Sequence, residues 1–141
     1  MGLYLCVFRS DEVDDEVDGV EVGSYDDFHD FRLAVAQGLE NGQWGSRFPV
    51  LMLHHDSDGE WTPGEAVALA GELQVIETEF AALPARGFVA GSWQAKVAGS
   101  LGLAPKTLRE SFIDVDGELL VERIRELAVT AAKLGVPISL Q

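Results

Sequence analysis

A chain of 141 residues, 47% apolar and 24% charged, is long enough to enclose one hydrophobic core and too apolar for a disordered or fibrous class. Its 24 acids against 10 bases leave a net charge of -14, which repels a phosphate backbone and disfavours direct nucleic-acid binding while steering basic proteins, cationic ligands or metal ions toward it. Cys6, the single cysteine, excludes an intrachain disulfide framework and a multi-cysteine zinc site.

No apolar run reaches the ~18 residues of a membrane span, and the N-terminus lacks a basic stretch followed by an apolar one. One cytoplasmic domain over residues 1–141, with no membrane partner, is the expectation. The charge is uneven: residues 1–82 hold 18 acids and 3 bases, residues 83–141 hold 6 acids and 7 bases. Ten of those acids fall between positions 11 and 30, where there is no Lys or Arg.

In chain order, residues 2–8 read as a buried central strand, with Leu3, Leu5 and Val7 on one face and Tyr4, Cys6 and Phe8 on the other. Residues 20–22 suggest a short strand. Ser24 then caps a helix with Asp27 at N3, an apolar stripe of Phe28, Phe31, Val35 and Leu39, and an end at Asn41 and Gly42.

Residues 47–53 read as a second buried strand. Thr62, Pro63 and Glu65 supply N-cap, N1 and N3 of a capping box, and Leu69, Leu73, Ile76 and Phe80 line the helix they open. A connector over 83–91 leads to a short helix capped by Ser92 and stopped at Gly102. Residues 112–115 look extended, a last helix carries Leu120, Ile124, Leu127, Ala131 and Leu134 to Gly135, and 137–140 returns as a strand. The fold class is α+β, a small mixed sheet of three to four strands packed by three to four helices.

The string Asp56 Ser57 Asp58 Gly59 Glu60 is the most metal-like feature. If Gly59 takes position six of a calcium loop, Glu65 takes position twelve, but His54 falls at position one and is a poor ligand for a hard cation. His54 and His55 cannot both face inward from a regular strand, and turn formation by Asp and Gly is the simpler account. The second such string, Asp114 Val115 Asp116 Gly117 Glu118, places Arg123 at position twelve and fails. There is no nucleophile motif, phosphate loop or cofactor signature.

The candidate partner-binding residues are therefore acidic and aromatic. Asp11, Glu12, Asp14, Asp15, Glu16 and Asp18 belong to the uncompensated run. Glu65, Glu72 and Glu79 repeat every seven residues on one helix face with no Lys or Arg between 62 and 83, which predicts an unpaired ridge. Trp44 and Trp61 flank the 47–53 segment in loops and are expected to emerge on one edge beside the acids.

Three strings carry a resemblance: Met1 Gly2 Leu3 Tyr4 Leu5 Cys6 Val7 Phe8, Asp18 Gly19 Val20 Glu21 Val22 Gly23 Ser24 Tyr25, and Ser111 Phe112 Ile113 Asp114 Val115 Asp116 Gly117 Glu118. They resemble the Imm70 family of small bacterial immunity proteins from polymorphic toxin systems, and the likeness runs to the closing Pro137 Ile138 Ser139 Leu140 Gln141. It implies a non-enzymatic protein that binds a cognate toxin domain, and it carries no contact residues with it. The acidic surface then suggests a basic toxin, with nucleases among the candidates. The alternatives are a divalent-metal protein using the 54–65 loop and an acidic adaptor without a toxin partner.

Overall fold

Leu3, Leu5 and Val7 point to one side of β1 (Gly2–Phe8) and are almost wholly buried, as the alternation of the sequence requires. The computed structural model describes residues 2–9, 15–55 and 59–141. In it β1 is followed by β2 (Glu16–Ser24), α1 (Tyr25–Leu39), α2 (Pro49–Met52), β3 (Glu60–Trp61) and α3 (Pro63–Phe80). Then come α4 (Trp93–Leu101), a 3-10 turn (Leu108–Ser111), α5 (Leu120–Leu134) and β4 (Ile138–Leu140).

The sheet has the order β2-β1-β4-β3, which makes β1 central. Every described pairing is antiparallel, refining the mixed sheet expected from sequence to an antiparallel one within the same α+β class. Helices α1 and α5 lie against one face and α3 packs on α5. Leu3, Leu5, Val7, Val20, Val22, Ile138 and Leu140 join the inward residues of these helices in one core. Phe31, Phe80 and Phe112 meet within it, with ring centroids 5.4 to 6.3 Å apart.

Local capping follows the sequence closely. Ser24 and Asp27 form a capping box on α1, and Thr62 and Glu65 form one on α3 with Pro63 at the first turn. Ser92 caps α4, and left-handed Gly102 and Gly135 end α4 and α5.

Three expectations are corrected. The short strand at 20–22 is a nine-residue strand, because Asp18 is neutralised by Arg123 and Glu21 faces solvent, so both acids fit extended backbone. The strand expected at 47–53 is instead the helix α2, with Pro49 at its first position. A short apolar run suits either state, and tertiary partners decide here. The Glu72 carboxylate accepts the free N–H groups of Val50 and Leu51 at 3.1 and 2.9 Å. At the other end Arg32 donates to the carbonyls of Leu51, Met52 and His54 at 3.2, 3.3 and 2.8 Å. The extended segment at 112–115 is reduced to a single bridge between Ile113 and Leu119 around the Asp114 turn.

Candidate functional site: the open sheet face and the groove under α4

Most acids expected to meet a partner have structural duties. Glu65 accepts the Thr62 N–H at 3.0 Å. Glu79 takes two bonds from Arg47, 2.6 and 3.1 Å long, which hold its carboxyl below the usual range. Glu72 is raised because burial outweighs the two N–H bonds it accepts. The ridge is thus not unpaired: its cation is Arg47, 32 residues before Glu79, and its other donors are the backbone N–H groups of Thr62, Val50 and Leu51.

Asp18 pairs with Arg123 at 3.0 Å, Asp15 lies 3.9 Å from Arg9, and Glu16 accepts the Tyr4 hydroxyl at 2.6 Å. Asp11, Glu12 and Asp14 lie outside the described residues. Trp61 does not emerge on an edge: it is 0% exposed, and its Nε1 donates to the Val50 carbonyl at 2.9 Å. Trp44 is half-buried, stacks on His29 at 5.5 Å and donates to the Met52 carbonyl at 2.6 Å. The aromatic pair flanking 47–53 anchors α2.

Among the described residues Glu21, Asp26, Glu60 and Asp116 are exposed acids without a side-chain partner, and two of them, Glu21 and Glu60, share one face of the sheet. Cys6 pairs with Gly19 on one side and Ser139 on the other, and Ser139 pairs with Glu60, so these four form a row across the sheet face that points away from α1 and α5. The adjoining Tyr4 pairs with Glu21, and Phe8 with Glu16. This face therefore carries Glu16, Glu21 and Glu60, all exposed, around Tyr4, Phe8, Ser139 and the buried Cys6. Among the described residues neither Glu21 nor Glu60 makes a side-chain hydrogen bond or ion pair.

The Tyr4 ring lies over Gly19 on its way to Glu16, so a Cβ at Gly19 would push that ring aside. Burial, with a further contribution from Glu16, pushes the Cys6 thiol up to about 11, which favours its protonated form. The hydrogen bond to Glu16 and burial raise Tyr4 too. The outer edge of β2 is covered: the Val115 N–H and Arg123 donate to the carbonyls of Glu21 and Gly19, each at 3.0 Å.

Beside this face, α4 leans over the start of α1 and leaves a groove of about 710 Å³ lined by Tyr4, Glu21, Trp93, Val97 and Val115 among others. Asp27 builds it. One of its oxygens accepts from Ser24 N, Ser24 Oγ and Trp93 Nε1 at 2.7, 2.9 and 3.0 Å, and the other from Gln94 Nε2 at 2.7 Å. Burial alone would raise this carboxyl, but the four donors prevail and hold it low. Gly23, at φ +119°, makes the approach possible, since a Cβ there would strike Asp27 and Trp93. Sequence reasoning found Asp27 as a cap and missed its second role, because Trp93 and Gln94 are 66 and 67 residues away.

In the 54–65 loop, the two ring nitrogens of His54 lie 2.7 and 2.8 Å from the carbonyls of His55 and Glu60, and Glu65 is held by its cap. Asp56 and Asp58 lie outside the described residues. Among the described residues no group of three or more His, Cys, Asp or Glu side chains could hold a metal ion, and no helix is long and apolar enough to cross a membrane.

The family model described as Immunity protein 70 matches residues 3–140, nearly the whole chain. Searches of curated proteins and of solved structures return no match.

Proposed function

Since the chain belongs to the Immunity protein 70 family, we propose that it neutralises a cognate toxin by docking its acidic open sheet face on a basic surface of that toxin, acting by binding and not by catalysis. The observation that carries this reading is the sorting of the carboxylates. Glu40, Glu65, Glu72, Glu77 and Glu79 are engaged by backbone or arginine, whereas Glu21 and Glu60 stand exposed on a face that also presents Tyr4 and Phe8. Aromatic anchors inside a ring of like charge supply short-range affinity and long-range steering together. A nuclease fits as the target, because a cleft that holds phosphate offers the basic complement.

The test is association with the cognate toxin domain, followed over a salt series. Combined replacement Glu16→Gln, Glu21→Gln and Glu60→Gln is expected to lower the association rate by about tenfold and flatten its salt dependence. Unchanged kinetics would reject this face as the docking surface.

A further inference from the structure

The groove under α4 has walls of one chemistry and a rim of another. Tyr4, Trp93, Val97 and Val115 make the walls, and Glu21 and Asp27 are its charged lining residues, with no Lys, Arg or His among them. The two carboxylates are not equivalent. Asp27 is saturated by donors from Ser24, Trp93 and Gln94. Among the described residues neither carboxylate oxygen of Glu21 has a partner, while its own carbonyl is fixed by the Val115 N–H at 3.0 Å, so its backbone is already in place.

We propose that this groove receives an arginine side chain of the partner polypeptide, its guanidinium at Glu21 and its aliphatic stem along Trp93 and Val97. Charge complementarity selects a cation, and the walls select which one. A guanidinium sheds water more readily than an ammonium, lies flat on aromatic faces and meets a carboxylate with two parallel bonds. At about 710 Å³ the groove has room for that side chain and the backbone that carries it. The inference rests on the toxin-binding reading only for the identity of the partner.

The experiment is a titration of the isotope-labelled protein with N-acetyl-arginine amide, read at the Trp93 indole N–H and the Gly23 and Val97 amides. Saturable shifts at these three positions are expected. N-acetyl-citrulline amide, which has the same shape without the charge, and the Glu21→Gln variant should each weaken binding by about fivefold. No saturable shift, or equal affinity for the two amides, would overturn the proposal.

In the toxin complex, Val115→Arg places a competing guanidinium at the groove and should raise Kd by about fivefold or more. Wild-type Kd for that variant sinks the groove and leaves the acidic-face reading standing. If the toxin does not bind even the wild-type chain, the toxin reading fails, and the amide titration still decides the groove.

Discussion

The 40–53 connector, which Glu40, Glu72 and Glu79 hold in place, and the open face of the sheet use their carboxylates in opposite ways. In the connector, Glu40 is 2% exposed and accepts the N–H groups of Gly45, Arg47 and Phe48 at 3.1, 2.9 and 3.1 Å. Glu72 caps α2, and Glu79 clamps Arg47. On the open face, the Glu21 and Glu60 carboxylates bind no other side chain or backbone group among the described residues. Carboxylate count alone therefore says little about function; the number of backbone and arginine donors within reach separates scaffold from surface.

Removing Glu40 gives the largest expected effect on this contrast. Glu40→Ala leaves three donors of the 45–48 turn without their acceptor and should cost about 3 kcal/mol in urea unfolding. A loss under about 1 kcal/mol would mean that the connector does not depend on its carboxylates.

A smaller and sharper test uses pH. The folded-state carboxyl of Asp27 is held low, so its contribution is present above the unfolded value of 3.8 and fades as pH falls through the folded one. Asp27→Asn should cost about 1 kcal/mol at neutral pH, and the gap to wild type should close on acidification. Glu72 has the opposite sign: with its folded value above the unfolded 4.5, its favourable proton contribution is present below 4.5 and is lost as pH rises through the folded value. The stability of wild type relative to Glu72→Gln should therefore improve as pH falls. Parallel profiles for the two variants would contradict the assigned environments.

The smallest effect belongs to the exposed clamp. Glu79→Gln should change stability by no more than about 0.5 kcal/mol, an amount that added salt diminishes. A larger loss would place Arg47 and Glu79 in the same class as Glu40.

Much of the local structure was legible. Both capping boxes, the Ser92 cap, the stop at Gly135, the inward face of β1 and the burial of Cys6 follow from side-chain chemistry within a few residues. The α2 segment was not, because a short apolar run is bistable until Glu72 and Arg32 cap its two ends from 20 or so residues away. The candidate site was half legible: strand alternation puts Glu21 outward between Val20 and Val22, but the freedom of its carboxylate depends on where every arginine goes.

By itself the sequence determined the charge, the α+β class, the starts of α1, α3 and α4 and the stops of α4 and α5, since these depend on composition, periodicity and contacts within a turn, while the resemblance of three strings pointed to the family. Tertiary structure alone decided which acids are consumed. Arg47 crosses to Glu79, 32 residues on, Arg123 reaches back 105 residues to Asp18, and Trp93 and Gln94 return to Asp27, leaving a groove with an unspent carboxylate at its rim. Such pairings join residues far apart in the chain, and their energies are realised only once the core has brought the partners within a few ångströms.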